Sequence, residues 1–110
     1  MTGNGDREPA ADGGARFVPD AAGASWTFEG DLTFANAGVV YEATRDVPLP
    51  ATGVVDCRGV GAVDSAAIAV LLELQRRAAG EGRSLAFTNL PASLRALGEL
   101  YGVAEILVPA

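Results

Sequence analysis

Histidine and lysine are absent from this 110-residue chain, and it carries a single cysteine. Without histidine there is no Ser–His nucleophile pair and no imidazole general base. One cysteine and no histidine rule out the common zinc sites. No intramolecular disulfide can form, in agreement with a reducing compartment. Lacking lysine, the chain has neither a Schiff-base amine nor a P-loop lysine. Carboxylates, arginine, serine, threonine and tyrosine remain. Binding is therefore the better expectation than catalysis, with no metal and no cofactor.

Long apolar runs are missing as well. Nothing approaches the roughly 20 residues that span a bilayer, so no direct membrane insertion is expected. The first residues, MTGNGDREPAADGGA, are acidic and glycine-rich, with no apolar stretch after basic ones. They do not read as a secretory signal, and a cytoplasmic location is the expectation. Positive charge is scarce: the formal net charge is −6 and all eight basic residues are arginine. That balance argues against sequence-independent nucleic-acid binding and against lodging on anionic lipid.

What is present suits one globular domain, 49% hydrophobic and 20% charged. Residues 1–14 read as a disordered tail, and residues 15–110 as the domain. Ala15 to Pro19 suits a first strand with Phe17 buried. Ser25 to Glu29 alternates as a half-buried strand with Trp26 and Phe28 inward, broken by Gly30-Asp31. Leu32 to Ala43 has Phe34, Ala37, Val40 and Tyr41 at helical spacing, with Thr33 or Asn36 as N-cap. Val47 to Thr52, with two prolines, is a connector.

A strand over Gly53 to Cys57 follows, then a loop over Arg58 to Val63. A long helix runs from Ser65 to about Ala79 and stops near Gly80 and Gly82. Along it Ile68, Leu71, Leu72 and Ala79 are expected to face the sheet, with Ala66, Ala69 and Val70 turned elsewhere. Glu73 and Arg77 make an i, i+4 pair. Ser84 to Thr88 is a strand, and Pro91 starts a helix reaching Tyr101 with Leu94, Leu97 and Tyr101 as its apolar stripe. Ala104 to Val108 is a short apolar piece of undecided type. The order is β, β, α, β, α, β, α, which predicts an N-terminal hairpin and a later parallel crossover. The fold class expected is α/β: a small mixed sheet with helices mainly on one side.

The most informative stretch is Gly53 to Leu74. Gly59-Val60-Gly61 is not a dinucleotide fingerprint, because its third glycine would fall at Asp64, whose carboxylate repels a pyrophosphate. Asp64 reads instead as the N-cap of the long helix, where a carboxylate accepts backbone N–H bonds and complements the helix dipole. Its neighbour Ser65 then keeps a free hydroxyl at the helix mouth, and Ala66 to Leu72 follow as seven apolar residues in succession. Either a neighbouring helix or loop of the chain covers Ala66, Ala69 and Val70, or these small residues form a platform around Ser65 flat enough for a partner helix. Cys57 reads as a small buried hydrophobe. A hydrolase or nucleotide-binding site built on Asp56 and Asp64 has no base partner, phosphate cradle or metal set, and ranks last.

Val54-Val55-Asp56, the loop, and Asp64-Ser65 opening a helix resemble the STAS family (sulphate transporter and anti-sigma factor antagonist). Gly30-Asp31-Leu32 resembles the family's early turn, Ser84 to Pro91 its late strand with a proline-started helix, and Leu97 to Val103 its closing helix and exit. The resemblance implies a mixed-sheet domain that binds partners without catalysing. It implies that Ser65 occupies the position phosphorylated by a partner kinase in anti-sigma factor antagonists. In MlaB-like members that position lies near the ATPase subunit of a phospholipid-transporting ABC complex. Ala67 stands where members usually carry glycine, and Ala66 where antagonists often have Ser or Thr, which favours the MlaB-like branch. The partner-binding residues expected are Val63, Asp64, Ser65, Ala66 and Ala69, joined by Arg95 from the last long helix. The partner is an ABC ATPase subunit or, alternatively, an anti-sigma factor kinase; the oligomeric state is left open.

Overall fold

A computed structural model describes residues 14–107. The expected tail, apart from Gly14, and the end of the last apolar piece lie outside the described residues. Strands β1 (Arg16–Pro19), β2 (Ser25–Leu32), β3 (Val54–Val63) and β4 (Ala86–Thr88) form one sheet in the order β1-β2-β3-β4. β1 runs antiparallel to β2, and β2, β3 and β4 are mutually parallel. Helices α1 (Ala37–Glu42), α2 (Ser65–Gly80), α3 (Ala92–Leu100) and α4 (Ala104–Leu107) complete the chain.

Strand alternation decides which face the helices cover. Trp26, Val55 and Phe87 stand side by side across the parallel strands and are buried. The neighbouring row, Thr27, Asp56 and Thr88, is only half-buried. One face thus meets the helices, and the α/β expectation with helices on one side holds. Phe17 joins the covered face at the sheet edge. It is half-buried where full burial was expected, and packs edge-on to Phe28 at 4.8 Å and tilted to Trp26 at 5.6 Å.

Two sequence expectations are corrected by the pairing of β2 with β3. Gly30-Asp31 do not end β2, which continues to Leu32 opposite Val63. Arg58 to Val63 are not a loop but the second half of β3. The glycines mark close approach instead of a turn: a Cβ on Gly59 would lie 2.6 Å from the Phe28 carbonyl oxygen, and one on Gly61 would meet the Asp31 carboxylate. Gly30, at φ 108°, leaves room for Ala15. Two register shifts in this pairing destroy strict alternation, so the stretch does not read as a strand.

α1 is shorter than expected because Thr33 to Asn36 form a turn. The buried Asn36 side chain is used up there: Oδ1 accepts the Thr33 N–H at 3.0 Å and Nδ2 donates to the Asp31 carbonyl at 2.7 Å. Val40 is buried and Ala37 and Tyr41 pack on the core, as the stripe predicted, but Phe34 is 75% exposed. The connector to β3 is held by arginines of and just beyond α2. Arg77 donates to the Thr44 and Val47 carbonyls at 2.8 and 2.5 Å, and Arg83 to those of Pro50 and Ala51. Arg77 therefore does not pair with Glu73; Arg76 does, at 3.3 Å.

α2 packs against α1, α3 and α4 as well as lying over the sheet. That is why Ala66 and Val70, expected to point away from the core, are buried, while Ala79 is exposed. Ala69 is exposed as expected. Past its end, Gly82 at φ 71° lets the Arg83 N–H reach the Ala78 carbonyl at 2.8 Å. β4 is shorter than expected because Leu85 already has its partner. The Gln75 side-chain amide accepts the Leu85 N–H at 2.7 Å and donates to its carbonyl at 2.9 Å. In α3, Leu94 is buried and Leu97 packs on the core, whereas Tyr101 is 52% exposed. The undecided last piece is the short helix α4. No helix among the described residues is long and apolar enough to cross a membrane.

A candidate docking face on helix α2

The site begins with Asp64. Its extended backbone (φ −142°, ψ −166°) ends β3 and starts α2, and its Oδ1 accepts the Ala66 N–H at 2.8 Å, the N-cap read from sequence. Oδ2 accepts the Phe34 N–H at 3.0 Å. One residue thus fixes both the start of α2 and the turn before α1. Nearby, the Asp31 carboxylate accepts the Ala62 N–H at 2.8 Å and ties the ends of β2 and β3 together.

Ser65 follows at the first position of α2. It is half-buried and makes no side-chain hydrogen bond among the described residues. It borders a shallow groove of about 240 Å³ with Ile68, Ala69, Leu72, Tyr101 and Val103. A second groove, of about 330 Å³, lies between α1 and α2, where Phe34, Tyr41, Ala66 and Glu73 contribute to its walls. Ala69 belongs to both, so it is the low saddle between them. Ala66 is 6% exposed and enters only at the floor.

The flanks of this saddle are apolar and exposed. Phe34 at 75% and Val39 at 65% stand on the α1 side; Leu100 at 74%, Tyr101 and Ile106 stand at α3 and α4. Of these, Phe34 lines the groove between α1 and α2 and Tyr101 the groove beside Ser65, so with Ala69 they form an apolar face that is uncovered among the described residues. Ser65 and Ala69, expected from the sequence as partner-binding residues, line these grooves; Phe34 and Tyr101 are not among the residues expected there. Phe34 and Tyr101 complete helical stripes that look like core, and only the Asn36 turn, which shortens α1, hints that Phe34 escapes.

Val63 ends β3, half-buried against the core beside Leu32. Arg95, expected on the same face, opens on a separate cleft with Thr88, Asn89 and Glu99, and donates to the Leu90 carbonyl at 3.3 Å. It borders neither groove beside Ser65.

The other candidate groups are engaged elsewhere. The Arg58 N–H and the Asn89 amide, with the Arg58 guanidinium at 3.5 Å, hold the Asp56 carboxyl below its ordinary value. Asp56 lies on the uncovered sheet row, not beside Asp64. Burial, with the Asp56 charge added, pushes the Cys57 thiol up to about 12, so it holds its proton at neutral pH. Among the described residues no group of three or more acidic or cysteine side chains is placed to hold a metal ion. This arrangement has the makings of recognition: a capped helix mouth, a free hydroxyl and an apolar surround.

No curated protein matches the chain. The family model described as Mlab, STAS domain, matches residues 23–109, which include every element from β2 to α4 and the whole docking face. On that match the chain belongs to the MlaB-like STAS domain family, whose domains mediate protein–protein interactions and are generally not enzymes.

Proposed function

We propose that this protein is a cytoplasmic accessory subunit that binds and regulates the ATPase subunit of a Mla-type, phospholipid-transporting ABC complex. Docking uses the α2 face: Ser65 and Ala69 at its centre, Asp64 and Val63 holding the helix mouth, Ala66 beneath, and Arg95 at a distance from the flank. The supporting observation is the pair of exposed aromatic side chains, Phe34 and Tyr101, one in each of the two grooves that share Ala69. Contiguous exposed apolar surface on a small domain marks an interaction site. The function is steric and allosteric: the domain contributes surface, and the partner contributes nucleotide chemistry.

Replacing Ser65 by Asp sets a charge at the centre of this surface. Co-purification with the ATPase subunit is then lost, while circular dichroism stays that of the native fold. Undiminished co-purification rejects the assignment of this face.

A second reading has its own observation. Ser65 is half-exposed, its hydroxyl has no hydrogen bond among the described residues, and it sits at a helix N-terminus. A phosphate there gains from the helix field and is opposed by the Asp64 carboxylate. In this reading the protein is an anti-sigma factor antagonist released from its kinase by phosphorylation. Intact mass after incubation with an active cognate kinase and ATP decides it: an added phosphate on Ser65 supports the switch, an unchanged mass removes it.

A further inference from the structure

Ala69 is not the only link between the two grooves beside α2. Ser65 lines one and Phe34 the other, and Asp64 is bonded to both segments. Its Oδ1 accepts the Ala66 N–H at 2.8 Å, and its Oδ2 accepts the Phe34 N–H at 3.0 Å. Phe34 is 75% exposed, so packing does little to fix it. The rest of its turn is anchored locally. The Thr33 N–H meets the Asn36 side chain, and the Ala35 N–H meets the Thr33 hydroxyl at 3.2 Å. The Asn36 and Ala37 N–H groups both reach the Thr33 carbonyl. Among the described residues, Phe34 alone in this turn holds its amide on a side chain thirty residues away.

A negative charge at Ser65 acts on the Asp64 carboxylate in two ways. It repels the like charge beside it, and it competes for the Ala66 N–H, because the free N–H groups and dipole of a helix mouth attract an anion. The carboxylate is shared by donors on two segments, so displacing it from one loosens the other. We propose that Asp64 is a relay: a negative charge at Ser65 displaces its carboxylate and releases the Phe34 N–H, so that a change in one groove loosens the aromatic wall of the other. Thr33 and Asn36 keep their own bonds, which confines the release to Phe34 and leaves α1 in place. The relay rests on the phosphorylated state of the second reading above and adds its consequence for the docking face: the surface loses a preset Phe34 as well as gaining charge.

Amide hydrogen exchange on the full, isotopically labelled chain tests it, with Ser65→Asp, Ser65→Asn, Asp64→Asn and the Asp64→Asn, Ser65→Asp double variant. Ser65→Asp speeds exchange of the Phe34 amide at least about tenfold, while the Thr33, Asn36 and Val40 amides stay within about twofold of native. Ser65→Asn, similar in size and uncharged, leaves Phe34 at its native rate. Against Asp64→Asn, which carries no charge to repel, Ser65→Asp adds less than about twofold, the mark of two residues that act through each other. Raising the salt shrinks the effect. An unchanged Phe34 amide in Ser65→Asp overturns the proposal, as does an equal rise in Ser65→Asn or an undiminished rise in the Asp64→Asn background. Lost protection along the whole of α1 overturns it too, because that is unfolding and not a relay. The kinase test is separate. An unchanged mass there, with Phe34 still released in Ser65→Asp, removes the phosphate and leaves the relay. A phosphate on Ser65 with the Phe34 amide at its native rate keeps the modification and removes the relay.

Discussion

The Asp64 carboxylate joins two segments thirty residues apart: one oxygen caps α2 at the Ala66 N–H, and the other accepts the Phe34 N–H at 3.0 Å. The same contact that starts the helix therefore sets the turn from which the exposed Phe34 ring projects. Asp64→Ala loses both bonds, at a cost of about 1–2 kcal/mol in urea unfolding. Asp64→Asn keeps an acceptor oxygen and loses less. The alanine variant also frees the Phe34 turn, so faster exchange of the Phe34 amide accompanies the lost stability.

The apolar flanks behave in the opposite way. Phe34 is 75% and Tyr101 52% exposed, so Phe34→Ser and Tyr101→Ser cost little stability, about 1 kcal/mol or less. Their effect falls on association: each weakens partner binding by about 1 kcal/mol or more. Calorimetry against the ATPase subunit, alongside urea titration of the free chain, separates the two effects.

Gln75 is the structural counterpart of this functional face. Its amide meets the Leu85 N–H and carbonyl and also donates to the Ile106 carbonyl at 2.9 Å, tying α2 to the start of β4 and to α4. Gln75→Leu leaves those groups without partners, and denaturant unfolding shows a loss of about 2–4 kcal/mol. The Leu85 amide, slow to exchange in the native chain, becomes fast.

Cys57 makes a pH prediction. Burial raises its folded value from 9.0 to about 12. The stability gained by keeping that thiol protonated is whole below pH 9.0 and is lost as the pH rises towards about 12. Cys57→Ala unfolds with a smaller alkaline decline across that window than the native chain does. At pH 8 a thiol reagent labels the native chain slowly and the denaturant-unfolded chain quickly.

The order of strands and helices and the capped mouth of α2 were legible because each rests on local signals: alternation at Trp26 and Phe28, the Asp64 cap, the glycines beyond Ala79. Where the reading went astray, the deciding partner lay far along the chain. Gly59 and Gly61 look like loop glycines until β2 arrives beside them. Arg77 looks paired to Glu73 until the connector carbonyls of Thr44 and Val47 claim it. Phe34 and Tyr101 fit apolar stripes, yet both stand exposed beside α2. An exposed face is defined by what does not pack on it, and periodicity carries no mark of that.

The most direct test of the docking face is hydrogen–deuterium exchange on the free chain and on its complex with the ATPase subunit. Protection on binding should appear in 34–41, in the first half of α2 around Ser65 and Ala69, and in 100–106. Protection on the Thr27, Asp56 and Thr88 row or in the cleft at Arg95, with α2 unchanged, contradicts the account.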